Sequence, residues 1–264
     1  MIIFKTYAEI QAMKESGQIL AVILDELKAM IIPGVQTKKL DDYAERRARE
    51  MGALPAFKDY RGYPASLCTS VNEEIVHGIP SSRTLKEGDI ISLDFGVLYH
   101  GYYGDAARTY PVGRIAPLAQ RLIATAEEAF TKGLEQLAGG KRISDISAAV
   151  QNYVESRGFS IIRTFVGHGI GHSLHEEPQV PNFGVPGCGP KIRPGLVLAI
   201  EPMIAAGSGD AEILSDGWTA VTRDRSLAAH FEQTVALTSK GIKILSTLDE
   251  DTDNAHFAKE HQYA

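Results

Sequence analysis

The sequence predicts an α/β (α+β) fold in which two related halves face each other across a central site. Three observations favour this fold. Two helical segments followed by strand-like segments occur twice in succession, glycines that end helices recur at matching spacings, and an acidic residue ends an apolar strand in each half. With 264 residues, 44% of them hydrophobic and 23% charged, the chain has ordinary globular composition and is compatible with a single domain.

Each half begins with two predicted helices. Apolar periodicity and Gly or Pro breakers place them at about residues 7–30, 38–51, 117–138 and 144–157. Thr6 and Glu9 have the spacing of a capping box at the start of the first helix. Strands and turns follow each helix pair, and the polar residues 249–264 are expected to form a frayed tail.

The spacing of glycines and acids indicates an internal duplication. The glycines that flank the second helix of each half stand at equal separations, as Gly34 and Gly52 and then as Gly140 and Gly158. Asp94 follows Gly88 at the same distance at which Glu201 follows Gly195. Generic helix-ending glycines are the alternative explanation. We predict one catalytic domain over residues 1–248, with pseudo-repeats at about 5–112 and 115–246.

Four acidic residues lie in segments that otherwise resemble buried strands. Asp94 and Asp105 flank a predicted hairpin whose turn is centred between Tyr99 and His100, which would place the two acids opposite each other. In the second half, the predicted strand 228–238 carries Glu232, which would pair with Glu201 as Asp105 pairs with Asp94. Buried carboxylates repel one another and are costly without a cation, and no Lys or Arg lies near Asp94 or Glu201 in their own strands, so we predict bound metal ions.

A histidine-rich segment, FVGHGIGHSLHEEP at 165–178, could supply nitrogen ligands. The spacing of His168, His172 and His175 would suit a helical metal site, but the interleaved glycines favour an extended or looped backbone. On the extended reading, His168 and His175 need not share a role. A set of four carboxylates and one imidazole suits Mn, Fe, Co or Zn, and a pair of such ions can activate water for hydrolysis.

Charge, cysteines and hydropathy limit the other possibilities. The net charge of −6 gives no support for binding to nucleic acid or to anionic membranes. Two distant cysteines, Cys68 and Cys188, form no disulfide framework and suit a reducing compartment. The N-terminal residues lack a secretory signal, and the apolar run 19–24 is too short to span a bilayer, so a cytoplasmic location is expected.

Five segments together resemble the type I methionine aminopeptidases, which have the pita-bread fold. They are NEEIVHGIP, LDFG…GDAART, FVGHGIGHSLHEEP, LAIEPM and HFEQT, in family order and at family-like spacing. The resemblance implies two pseudo-symmetric halves around a dimetal site and removal of N-terminal Met from peptides and nascent proteins whose second residue is small. It implies five metal ligands: Asp94, Asp105, His168, Glu201 and Glu232. Asp105 and Glu232 would bridge both ions, Asp94 would bind one, and His168 and Glu201 the other.

The resemblance also implies roles in catalysis. A hydroxide bridging the metal ions would be the nucleophile, and Glu201 would serve as general base. His175 would donate a hydrogen bond to the carbonyl oxygen, and His77 would contact the peptide backbone, while the substrate amine would reach the Asp94 side. An apolar pocket for Met would be lined by Tyr60, Tyr63, Cys68, Leu174 and Trp218. Simple core or turn packing is the alternative for the tyrosines and for Cys68.

The chain departs from the family pattern at three positions. Gln233 stands where many members have His, Leu174 where an aromatic residue is frequent, and Phe57 where some members have a small residue. These departures concern the shape of the pocket and the surroundings of the ligands. The remaining histidines are expected at the surface or in supporting positions, namely His100, His172, His230, His256 and His261.

Other functions remain open at this point. An Xaa-Pro aminopeptidase or dipeptidase would use the same ligands, although such relatives usually carry an additional N-terminal domain. A non-catalytic homologue that binds a peptide or the ribosome would be expected to lack ligands that this chain has. A dimetal phosphoester hydrolase fits the ligands but lacks an evident phosphate-binding cation in the motifs. The expected partners are N-terminal Met peptides, nascent chains and, transiently, the ribosome, and the expected oligomeric state is a monomer.

Overall fold

The computed structural model describes residues 1–248, and the predicted tail at 249–264 lies outside them. The described residues contain four long helices, α1 (Tyr7–Met30), α2 (Thr37–Glu50), α3 (Pro117–Leu134) and α4 (Ile143–Ser156). The predicted capping box at the start of α1 is confirmed, because the Glu9 amide donates to the Thr6 hydroxyl and the Thr6 amide donates to the Glu9 carboxylate. None of these helices combines the length and the apolarity needed to cross a membrane.

Helix α3 ends earlier than predicted. Beyond Leu134 the chain tightens, since the amide of Gln136 donates to Gly133 and that of Leu137 donates to Leu134. Such three-residue hydrogen bonds close tighter turns than the α-helix does, and they commonly end one. The prediction that the helix continues to residue 138 is therefore wrong by one turn.

The strands of the first half form mainly one antiparallel sheet. They are β1 (Leu54–Pro55), β2 (Leu67–Val71), β3 (Glu74–Val76), β4 (Ile90–Tyr99) and β5 (Tyr102–Pro111). Strand β4 is the centre of this sheet, with β5 along one edge and both β1 and β2 along the other. Helices α1 and α2 pack on the sheet around a core that includes Leu20, Leu24 and Phe95.

The hairpin between β4 and β5 turns one residue later than predicted. Its turn is His100–Gly101, and both residues have positive φ, as a two-residue hairpin turn of the right twist requires. Asp94 therefore pairs with Ala107, and Asp105 pairs with Gly96. The predicted direct pairing of Asp94 with Asp105 is wrong, but residues 105 and 107 share a face of β5, so the two acids are diagonal neighbours on one face.

The second half contains ten shorter strands. They are β6 (Ser160–Ile161), β7 (Val166–Gly169), β8 (Glu176–Pro181), β9 (Val197–Ile200), β10 (Met203–Ala205), β11 (Ala211–Ile213), β12 (Ala220–Thr222), β13 (Ala228–His230), β14 (Gln233–Thr238) and β15 (Gly241–Ile244). The largest sheet has the order β15-β14-β9-β7-β8, and smaller sheets have the orders β13-β10-β6 and β11-β12-β3. Helices α3 and α4 cover this half, with Phe130, Ile146 and Val150 among their core residues.

Two interruptions divide long strands in this half. Glu201–Pro202 separates β9 from β10, and Phe231–Glu232 separates β13 from β14, so the predicted continuous strand 228–238 is in fact two strands. Pro202 has no amide to donate to a ladder, which explains the break there. The register on both sides is the same, with Gln233 opposite Ile200 and His230 opposite Met203. Continued across the gap, it places Glu232 opposite Glu201.

The two halves meet along β5. The amide of Glu232 donates to the Ala107 carbonyl at 2.8 Å, and the amide of Asp105 donates to the Thr234 hydroxyl at 3.0 Å. The Thr109 hydroxyl donates to the His230 carbonyl and accepts from the His230 amide, each at 2.9 Å. These bonds bring the acid-bearing segments of both halves together in the interior.

Candidate metal centre and substrate pocket

The five predicted metal ligands lie around one cavity between the halves. Nε2 of His168 is 3.6 Å from Oε1 of Glu201 and 3.9 Å from Oδ2 of Asp105. One ligand atom each of Asp105, His168 and Glu232 lies within 4.8 Å of the others. Asp94 lines the same cavity from β4. The structure thus brings together, from three strands and two strand breaks, side chains that are far apart in the sequence.

Backbone contacts hold these side chains in place. His168 sits in β7 with Nδ1 2.9 Å from the Gly169 carbonyl, so that its Nε2 points towards the carboxylates. The side-chain amide of Asn182 donates to the backbone carbonyl of Glu201 at 2.9 Å, at the point where the strand is broken. A histidine whose second ring nitrogen is bound in this way has the orientation expected of a metal ligand.

Burial raises the pKa of all four carboxyl groups above their ordinary values. It raises the pKa of Asp94 and of Glu201 to about 7, and that of Asp105 and Glu232 well above the usual range. Repulsion from neighbouring carboxylates adds to the increase for Asp94, Asp105 and Glu232, whereas the nearby His168 partly offsets it for Glu201. No Lys or Arg of residues 1–248 forms an ion pair with any of the four. At neutral pH the cluster is therefore short of positive charge.

The donor set fits divalent metal ions. Ligands about 2.0–2.2 Å from one ion stand roughly 3–4 Å apart, and the separations between His168 and its two carboxylates fall in this range. Within the described part of the chain, Oδ1 of Asp94, Oδ1 of Asp105 and Oε1 of Glu232 are buried without a hydrogen-bond donor. Buried oxygens normally have partners, and a cation would supply what these lack.

Of the two positions expected for His230, surface or supporting, the structure shows the supporting one. Only 1% of its surface is exposed, so the surface alternative is wrong, and its Nε2 lies 3.6 Å from Oε2 of Glu201 and 3.9 Å from Oε2 of Glu232. The sequence contains a signal for this position, because His230 and Glu232 are two residues apart and would lie on the same face of an extended strand. His100 and His172 are largely exposed, as expected, with 65% and 57% of their side-chain surfaces accessible.

The other end of the cavity is apolar. Its walls combine aromatic, aliphatic and thiol side chains: Phe57, Tyr60, Tyr63, Cys68, Leu174 and Trp218. The Tyr63 and Trp218 rings meet edge to face at 5.2 Å. Burial raises the pKa of Cys68 well above its ordinary value, so its sulfur remains a neutral thiol and serves as apolar wall. The packing alternative also holds in part for Tyr63, which is buried and donates to the Gly78 carbonyl.

Two histidines stand between the acidic and apolar ends. Nδ1 of His175 is 3.0 Å from the Tyr60 hydroxyl, and the His175 ring lies 4.2 Å from that of His168. Burial lowers the pKa of His175 to about 3 and that of His77 to about 4, so both imidazoles are neutral at pH 7. His77 also has a φ of 61°, a conformation that costs energy in a residue other than glycine and is common at functional sites.

The three departures have distinct surroundings. Gln233 is buried and, with its amide oxygen towards Arg108, accepts from that guanidinium at 2.8 Å. Leu174 is buried in the apolar wall of the cavity. Phe57 packs against Gly96, where an added Cβ would come within 2.7 Å of the Phe57 ring. The bulk of Phe57 is thus accommodated by the glycine of the LDFG segment.

In the absence of divalent ions, the free energy of unfolding is expected to fall as the pH rises from 6.5 to 8. The folded state holds protons on buried carboxyls that the unfolded state has already lost, so raising the pH through the folded-state pKa values removes stability. Bound cations stabilise the ionised carboxylates and cancel this loss. We expect the increase in Tm on adding metal to be about 3–6 °C larger at pH 8, since 1 kcal/mol corresponds to about 2–4 °C for a domain of this size.

Calorimetry of the metal-free and metal-loaded protein at both pH values tests this. The lowered pKa values of His77 and His175 act in the opposite direction, but chiefly below pH 6.5, which is why the comparison starts there. An equal metal-dependent increase in Tm at pH 6.5 and 8 would contradict the role assigned to the buried carboxyls.

Comparison with known proteins gives a consistent result. Residues 11–239 match the metallopeptidase family M24. Methionine aminopeptidase 1 of Bacillus subtilis is 52% identical over 246 residues, which cover 93% of this chain and 99% of that protein. Methionine aminopeptidase of Clostridium perfringens is 50% identical, with coverage of 94% and 100%. The crystal structure of methionine aminopeptidase from Thermotoga maritima superposes with a TM-score of 0.92 at 44% identity, covering 94% of this chain and all of that one.

These matches confirm the predicted resemblance and the predicted pita-bread architecture. They also agree with the use of divalent metal by the acidic cluster. On its matched residues, its identity to these relatives and its fold, the chain belongs to metallopeptidase family M24.

Proposed function

We propose that this chain is a dimetal aminopeptidase that removes N-terminal Met from peptides and nascent proteins whose second residue is small. The observation that carries the proposal is the cavity itself, in which a buried carboxylate and imidazole cluster adjoins an aromatic, apolar wall. Catalytic and specificity elements are thus side by side. The residues that would hold two ions of Mn, Fe, Co or Zn are Asp94, Asp105, His168, Glu201 and Glu232.

When bound, the metal ions would supply an activated water and polarise the scissile carbonyl. The remaining work belongs to the protein. Glu201 accepts the proton released by the nucleophile and returns it to the leaving amine. Neutral His175 donates to the carbonyl oxygen as negative charge develops, and His77 contacts the substrate backbone. The Asp94 side of the cluster receives the free amino group.

The apolar wall would select the side chain. Tyr60, Tyr63, Cys68, Leu174 and Trp218 would enclose a Met side chain, whose thioether makes favourable contacts with aromatic rings. Phe57 narrows the same cavity. A cytoplasmic monomer of one catalytic domain, with pseudo-repeats at about 5–112 and 115–246 and transient access to the ribosome, completes the proposal.

Peptide specificity provides the test. Purified protein reconstituted separately with Mn, Fe, Co and Zn should cleave Met-Ala-Ser with a kcat/KM about 10²-fold above that for Ala-Ala-Ser, because burying the longer side chain contributes about 2–3 kcal/mol. Faster cleavage of Ala-Pro peptides would show an Xaa-Pro enzyme instead. Tight peptide binding without hydrolysis by any metal form would show a non-catalytic homologue, and selective hydrolysis of phosphate esters would show a phosphoesterase.

A further inference from the structure

We propose that His230 is an additional metal ligand, so that the centre has two imidazole donors rather than one. The inference rests on the proposed dimetal function and extends its ligand set. One ligand atom each of Glu201, His230 and Glu232 lies within 4.8 Å of the others, as is also true of Asp105, His168 and Glu232. The two groups share Glu232, as two neighbouring ions with one bridging carboxylate would require.

Distances support a shared ion rather than a hydrogen bond. Nε2 of His230 is 3.6 Å from Glu201 and 3.9 Å from Glu232, which is beyond hydrogen-bonding range. Atoms that each lie about 2.1 Å from one ion are separated by roughly 3–4 Å, depending on the angle between them. The separations for His168 are the same, 3.6 and 3.9 Å. His230 thus stands in the same geometric relation to its carboxylates as the proposed ligand His168 does to its own.

The imidazole of His230 otherwise has nothing to bind. Neither ring nitrogen has a hydrogen-bond partner among residues 1–248, and the side chain is 1% exposed. Its backbone is fixed by reciprocal bonds to the Thr109 hydroxyl and by the pairing of β13 with β10. A buried, rigidly held imidazole without a partner is rare, and a metal ion would satisfy its Nε2.

Glu201 lies between the two histidines. Its Oε1 faces His168 and its Oε2 faces His230. In this arrangement Glu201 would offer one oxygen to the ion of His168 and the other to the ion of His230, which goes beyond its assignment to the His168 ion alone. Each ion would therefore have one nitrogen ligand, and the added imidazole should favour Zn, Fe or Co over Mn at that ion.

Zinc X-ray absorption spectroscopy tests the inference without using activity. The tag-free protein is loaded with two equivalents of Zn²⁺, and imidazole scattering is used to count histidines. We expect about one histidine per zinc on average, against about one per two zinc ions if His168 is the sole donor. The variant His230→Gln should lower the count by half and weaken binding of one ion at least ~10-fold by calorimetric titration.

The matched control is His172→Gln, which alters an exposed histidine and should change neither the histidine count nor the affinities. A wild-type count of one histidine per two zinc ions overturns the inference and leaves the proposed function standing. Failure of the wild-type protein to bind zinc would overturn both. Because the wild-type spectrum alone decides the count, the test holds even if His230→Gln does not fold.

Discussion

Replacing Glu201 by Gln is expected to lower kcat on Met-Ala-Ser by at least ~10³-fold. The Glu201 side chain is more accessible than those of Asp105 and Glu232. Its exposed fraction is 12%, against 5% for Asp105 and 3% for Glu232. A proton acceptor needs this access. Gln keeps the size of the side chain but removes the negative charge and the ability to take up a proton. Steady-state kinetics at saturating metal measures the effect.

The same substitution should weaken one metal site, because a neutral amide is a poorer ligand than a carboxylate. Metal content by elemental analysis, measured with the kinetics, separates the two effects. The variant Glu135→Gln makes the same chemical change at a half-exposed position on the surface and should leave both kcat and metal content unchanged. If Glu201→Gln kept more than a tenth of kcat with full metal content, another group would be the base.

The acidic cluster could be predicted from the sequence because its physics is local. A carboxylate that ends an apolar strand signals an unusual cost, and its recurrence in both halves points to one shared solution. The resemblance then named His168. The position of His230 was also available, since alternation put it on the face of Glu232. A single histidine in a strand carries no cost that demands an explanation, so alternation alone does not identify His230 as part of the site.

The predictions from the sequence are wrong at short segments that can adopt either of two similar conformations. The turn at His100–Gly101 rather than Tyr99–His100 depends on positive φ at two successive positions, which Gly101 makes easy. The break at Glu201–Pro202 follows from a residue that cannot donate to the ladder. Contacts such as Gln233 with Arg108 and Asn182 with Glu201 join residues remote in sequence, and no local pattern contains them.

Replacing His175 by Ala should lower kcat by about 10²–10³-fold with little change in KM or metal content. Because the imidazole is neutral at pH 7, only one of its two nitrogens carries a hydrogen. His175 can donate to the substrate only if that nitrogen is Nε2, the one that does not face Tyr60. The Tyr60 hydroxyl, 3.0 Å from Nδ1, can donate to that nitrogen and so leave the hydrogen on Nε2. The donor would then serve the developing oxyanion and not the ground-state peptide, which is why kcat and not KM should fall.

Two variants distinguish this role from simple packing. Tyr60→Phe keeps the ring that stacks on His175 at 5.4 Å but removes the hydroxyl, so it should lower kcat less than His175→Ala does. His172→Ala alters a histidine in the same glycine-rich segment that lies at the surface, and it should have no effect. A loss of less than about 3-fold in kcat for His175→Ala would exclude an oxyanion donor, because removing such a donor typically costs 10²-fold or more. A rise in KM alone would assign His175 to substrate binding instead.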